Sequence, residues 1–150
     1  MRRSGVILEA LIEEVDNIHM ALRDAMRASA TQFLAPGETI QEVFSGQTGS
    51  PLVGTIGVAF GLIGALIAAG FNQYRIVAVT DQRILILDAG KWSRKNARAV
   101  IDVLPRATRL GPCTGISWHT IETPSGKIRV HSRSFKYVEA ADHMIAPVPN

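Results

Sequence analysis

The sequence predicts an α+β fold: a small antiparallel curved sheet or open barrel capped by a C-terminal helix. An amphipathic helix precedes the sheet, and a hydrophobic, Gly-rich insert separates strands one and two. Three observations predict it. Residues 6–34 carry apolar side chains at three- and four-residue steps, the period of a helix. The tracts 74–80 (YRIVAVT) and 83–88 (RILILD) are dense in branched residues and separated by Asp81-Gln82, which reads as a hairpin. Between that helix and the hairpin, Leu52 to Phe71 runs for twenty residues without a formal charge.

In the first helix the recurring residues are Leu8, Leu11, Ile12, Val15, Ile18, Leu22, Ala25, Met26, Ser29 and Phe33. Glu9, Glu13, Asp16, Arg23, Asp24 and Arg27 lie mostly opposite, and Pro36-Gly37 ends the run. The narrow stripe resembles a short coiled-coil seam, so it serves either self-association or packing against its own domain. The acidic polar face argues against lying flat on anionic lipid, which favours Lys and Arg there. Residues 38–48 then read as a strand, and Gly49-Ser50-Pro51 leads into the insert.

As a helix the insert would reach roughly 30 Å, the hydrocarbon thickness of a bilayer. Leu52, Val53, Ile56, Val58, Phe60, Leu62, Ile63, Leu66, Ile67 and Phe71 are the expected membrane-contact residues. Together they favour insertion by roughly 3 to 6 kcal/mol. Gly54, Gly57, Gly61 and Gly64 stack along one stripe, and a small-residue stripe lets a second helix approach closely. A Gly-rich apolar loop or a buried core helix is the competing reading of the same twenty residues.

Downstream of the central hairpin, Trp92 to Arg98 is a basic loop. Lys91, Arg94, Lys95 and Arg98 are the residues expected to meet anionic lipid. Ala99 to Leu104 fits either a strand or a helical turn before Pro105. Ile116 to Arg133 reads as a hairpin with Pro124-Ser125-Gly126 as a three-residue connection. That register pairs Thr123 with Lys127, Trp118 with Ser132 and His119 with His131. It sends Trp118, Ile128 and Val130 to the core, and His119, Ile121, Arg129, His131 and Arg133 to the wetter face. Ser134 is placed to cap a last helix running to about Ile145, with Phe135, Val138, Ala141 and Met144 or Ile145 turned inward.

Charge is divided unevenly. The net charge is +3, with −3 on residues 1–50 and +6 on residues 72–150. An anionic partner would therefore meet the C-terminal part. Cys113 is the single cysteine, which excludes an internal disulfide and suits a reducing cytoplasm. The N-terminus lacks the pattern of a signal peptide, because its apolar run is short and soon broken by Glu9, Glu13 and Glu14.

His119 and His131, with Cys113 or His143 as a distant third, show no zinc-like spacing, and no metal or cofactor is expected. No nucleophile elbow, phosphate-binding Gly loop or H-E-x-x-H pattern occurs, and Asp81, Asp88 and Asp102 sit where turns and strand ends use carboxylates. No catalytic residues are expected. Nucleic acid is disfavoured: the cations are plentiful, but Trp92, Trp118 and Tyr137 are scattered rather than interleaved with them.

One resemblance joins these readings. Pro36-Gly37-Glu38 before strand one, the hairpin from Val77-Ala78-Val79-Thr80-Asp81-Gln82-Arg83 to Ile86, and the helix from Phe135 to Ile145 resemble the bacterial pleckstrin-homology-like (PH-like) domains. Leu104-Pro105-Arg106 to Trp118 is similar to actinobacterial members. The likeness covers residues 36–146, leaving 1–35 as a separate helix and 147–150 as a tail. It implies a binding and scaffolding module without catalysis, often attached to membrane segments or forming oligomers. Eukaryotic relatives hold phosphoinositides through Lys and Arg between strands one and two. Here that connection has no Lys or Arg from Phe44 through Tyr74, so such a site does not carry over.

The placement sets a topological problem, since strands of one sheet share one side of a membrane. Three resolutions are open. The insert turns back near Gly61 or Gly64; or it crosses and withdraws residues 1–50 from the sheet; or the Gly faces of several copies pack together. The expected function is a membrane-associated module at the cytoplasmic face of the cell membrane. It would be anchored by 52–71, with the N-terminal helix engaging another copy or a protein partner. The alternative is a soluble homo-oligomeric scaffold that buries the insert between subunits.

Overall fold

A computed structural model describes residues 2–49, 61 and 73–146 of the chain. Its first element is α1 (Arg2–Ala30), 29 residues long and continued by a tight 3-10 turn at Thr31–Phe33. Six strands follow among the described residues: β1 (Ile40–Gln47), β2 (Tyr74–Thr80), β3 (Arg83–Gly90), β4 (Ala99–Pro105), β5 (Trp118–Thr123) and β6 (Gly126–His131). The last helix is α2 (Phe135–His143). The fold class is α+β. The strands form one antiparallel sheet in the order β4-β3-β2-β1-β6-β5, curled into a half-barrel.

The sheet is covered on both faces, and this explains its most apolar strands. Val77, Val79, Ile84 and Ile86 face inward with Phe44, Ile121, Ile128 and Val130, closed over by Val138 and Ala141 of α2. Ile76, Ala78, Leu85 and Leu87 point the other way with Val43, beneath Met26 and Ala30 of α1. A strand buried on both sides loses the apolar-polar alternation of a half-exposed one. Hence the unbroken runs in β2 and β3.

The turns are fixed by polar contacts. Gly37 has φ +80°, a left-handed conformation suited to glycine, and so brings the chain from α1 into β1. The Thr80 hydroxyl accepts the backbone N–H groups of Gln82 and Arg83 at 3.1 and 3.0 Å, while the Asp81 carboxylate accepts that of Thr39 at 3.0 Å. The Thr-Asp-Gln-Arg tetrapeptide thus has a structural role in tying β1, β2 and β3 together.

At the far end of the β1–β2 pair, Thr48 donates its N–H to the Gln73 carbonyl at 3.0 Å, and Gln73 returns its N–H to the Thr48 hydroxyl at 3.2 Å. The chain leaves and re-enters the sheet at one point. Residues 40–47 pair with β2, so the resolution that withdrew residues 1–50 from the sheet is overturned. The expected membrane-contact residues and Gly54, Gly57 and Gly64 lie outside the described residues; Gly61, described singly, is exposed. Among the described residues no helix is long and apolar enough to cross a membrane.

Of the two readings of Ala99 to Leu104, the strand is the one found: Ala99–Pro105 pairs with β3. Other expectations need correction. The β5–β6 hairpin pairs Thr123 with Gly126, Ile121 with Ile128 and Trp118 with His131. Its connection is therefore two residues rather than three. A one-residue slip reverses the faces of β5: His119 and Ile121 are buried, and Trp118 moves out. Ser134 makes no side-chain cap, because a 3-10 turn at Ser132–Ser134 leads into α2 instead. Of the residues expected to turn inward there, Val138 and Ala141 do, whereas Met144 is 39% exposed.

Candidate functional site

Two features remain after the fold is accounted for, and both involve α1. Leu22, Met26 and Ala30 occupy one stripe of the helix and pack on the sheet. Continued toward the N-terminus, the stripe runs through Ile18, Val15, Leu11 and Leu8, beyond the edge of the domain. These four are 54–61% exposed, and Ile7 and Ile12 beside them are 61% and 54% exposed. The helix thus ends in an arm whose apolar face has no cover among the described residues.

Where the arm leaves the sheet, a cleft of about 240 Å³ opens between α1, the end of β1, the β5–β6 hairpin and the start of α2. Among the described residues its lining holds Arg23, Arg94, Arg129 and Arg133, together with His19 and His131, and no Asp or Glu. Aromatic faces organise these cations. The Arg23 guanidinium sits 3.7 Å from the centre of the Tyr137 ring, and that of Arg129 sits 4.5 Å from the Trp118 ring. His131 meets Trp118 edge-on, with centroids 5.0 Å apart. Its Nδ1 accepts the Arg133 N–H at 3.2 Å, so in the neutral ring the proton sits on Nε2.

The arginines differ in how far they are neutralised. Arg23 pairs with Glu42 at 2.7 Å, just behind the cleft. Arg129 donates to the Gly49 carbonyl, and its burial pulls the guanidinium pKa below the usual value. Desolvation penalises its charge, and the neutral carbonyl compensates only in part. Arg94 and Arg133 are exposed.

Of the residues expected to meet anionic lipid, Arg94 alone lines the cleft; its guanidinium is 5.6 Å from the Tyr74 ring. Lys91, Lys95 and Arg98 are exposed elsewhere on the loop, with Arg98 lying over Gly90. The loop itself is held against α1, since the Ala97 N–H donates to the Ser29 hydroxyl at 2.6 Å. Sequence reasoning did not foresee the grouping of Arg23, Arg129, Arg133 and Tyr137. A two-residue hairpin connection would have put Trp118, Arg129 and His131 on one face, which is the signal that was legible.

The two hairpin histidines do not converge. His119 is buried, with Nε2 2.7 Å from the Leu110 carbonyl, on the opposite face from His131. Cys113 lies against the inner core, where burial, then Glu139 and Asp142, push its thiol pKa up. Among the described residues no group of three His, Cys, Asp or Glu side chains could hold a metal ion.

No family model, curated protein or solved structure matches the chain.

Proposed function

We propose that the chain is a PH-like, non-catalytic assembly module: α1 brings copies together, and residues 52–71 hold the domain at the cytoplasmic face of the membrane. The observation that carries this reading is the uncovered apolar face of α1. Leu8, Leu11, Val15 and Ile18 fall on the a and d positions of a heptad, with Ile7 and Ile12 flanking them. Together these six expose on the order of 600 Å², the upper end of the apolar patch a monomer commonly leaves bare and approaching one side of a standard protein interface. In a parallel pair, Glu14 on one helix lies opposite His19 on the other, a complementary flank.

The membrane part of the reading is supported by the twenty neutral residues and by the place where they join the sheet. Thr48 and Gln73 are side by side, which suits a segment that turns back or packs with its copies. Each arm of such a turn reaches about 14 Å, half the hydrocarbon depth. Arg75 and Lys127 line a shallow pocket with Thr48 at that junction, Arg75 paired with Asp88 at 2.9 Å and Lys127 exposed beside Glu122 at 3.8 Å.

Fractionation of the full chain without detergent, followed by light scattering in detergent, tests the proposal. The expected result is recovery in membranes and an oligomer that falls to monomer in the Leu11→Glu/Val15→Glu variant. Detergent-free recovery as a soluble oligomer would favour burial of the insert between subunits. A soluble monomer overturns both.

A further inference from the structure

We propose that the cleft at the root of the α1 arm is a binding site for a phosphate group, carried by a small organophosphate or by a lipid headgroup. Charge in this cleft is left without a counter-charge. Arg23 is neutralised by Glu42, but Arg94, Arg129 and Arg133 line the same cleft with no carboxylate among its described residues. Like charges gathered in a concave, partly desolvated space repel one another unless an anion joins them. Arg129 is the most constrained: it is stacked on Trp118 and donates to the Gly49 carbonyl oxygen, and among the described residues no carboxylate pairs with it, so an incoming anion supplies the missing charge.

The geometry suits phosphate in two further respects. Guanidinium groups present paired N–H donors that match phosphate oxygens, and here Trp118 and Tyr137 hold two guanidinium planes in place. At about 240 Å³ the cleft admits a headgroup-sized ligand rather than a large cofactor. Its cations come from α1, the loop before β4, the β5–β6 hairpin and the turn before α2. None comes from the β1–β2 connection.

Thermal denaturation of the full chain in detergent, with sn-glycerol 3-phosphate titrated against sodium chloride of equal ionic strength, tests it. A saturable rise in Tm specific to the phosphate is expected. The Arg94→Gln/Arg133→Gln variant, altered only at exposed side chains, should weaken it by about tenfold or more. The Leu11→Glu/Val15→Glu variant should keep it, which separates this site from self-association. In a second arm, wild type and the arginine variant are floated with phosphatidylcholine vesicles with and without one-fifth phosphatidylglycerol. Loss of the preference for anionic vesicles, with binding to neutral ones retained, identifies a lipid headgroup as the source. A chloride response equal to the phosphate response, together with no effect of the arginine substitutions in either arm, overturns the proposal. Failure to bind neutral vesicles would instead count against the anchor.

Discussion

Glu38 and Arg83 join the start of β1 to the start of β3 through a two-pronged ion pair. Arg83 Nε and one terminal nitrogen donate to the two Glu38 carboxylate oxygens at 2.9 and 3.1 Å. The Glu38 side chain is fully buried and also accepts the Thr80 hydroxyl at 2.8 Å and the Ala35 N–H at 2.9 Å. Arg83 in turn donates to the Phe33 carbonyl at 3.2 Å, so the pair also secures the end of the α1 segment. These residues carry the resemblance seen in the sequence, and their visible work is structural.

Acid stability follows from this pair. The Arg83 hydrogen bonds, reinforced by those from Ala35 and Thr80, lower the Glu38 pKa from 4.5 to about 2 against the opposing cost of burial. A carboxylate with a depressed folded-state pKa stabilises the fold above its unfolded pKa and loses that contribution as pH falls through the folded one. A contribution on the order of 3 kcal/mol should therefore disappear between about pH 5 and pH 2. Urea denaturation across that range should show the loss in the wild type. Glu38→Gln should be less stable at neutral pH and should show a flatter acid limb.

Breaking the pair from the other side should cost more. Arg83→Met leaves a buried carboxylate without its cation, with an expected loss of about 3–5 kcal/mol at pH 7. Combining Arg83→Met with Glu38→Gln should recover part of it. If the double variant is no more stable than Arg83→Met, the pair is not the unit described.

The hairpin register makes a separate claim. Ile121 is 4% exposed, so Ile121→Ala should cost about 2–5 kcal/mol, whereas Trp118→Ala, on the outer face, should cost clearly less. Chemical denaturation of the two variants decides it. The reverse ranking would restore the three-residue connection.

Gly46 marks a close crossing of β1 under β6. A methyl group there would overlap Ile128 Cγ2 and approach the Arg129 carbonyl at 3.2 Å. Ile128 is 2% exposed and has little room to yield. Gly46→Ala should therefore destabilise by about 1–3 kcal/mol, read from the denaturant midpoint. An unchanged midpoint would show that the sheet curls less tightly than described.

One stripe of α1 should give two different energies. Met26 is 2% exposed and Leu11 is 54% exposed. Met26→Ala should lower domain stability by about 2–5 kcal/mol, while Leu11→Ala should leave it nearly unchanged and weaken only association. Parallel thermal melts and light scattering check both halves.

The sequence by itself determined the local elements. Helical spacing from Leu8 to Met26, the branched runs in β2 and β3, and Pro36-Gly37 are short-range signals, and each element stands close to where they put it. Even the two-sided burial of the central strands is written in their lack of alternation. Register, faces and long-range grouping were decided only by the tertiary structure. One residue more or less in the Pro124-Ser125 turn exchanges Trp118 for Ile121 in the core, a choice that depends on what packs beneath the strand. The cleft gathers Arg23, Arg94, Arg129 and Arg133 from four separate elements. No spacing along the chain encodes that meeting, because it exists only after the sheet curls and α1 docks across it.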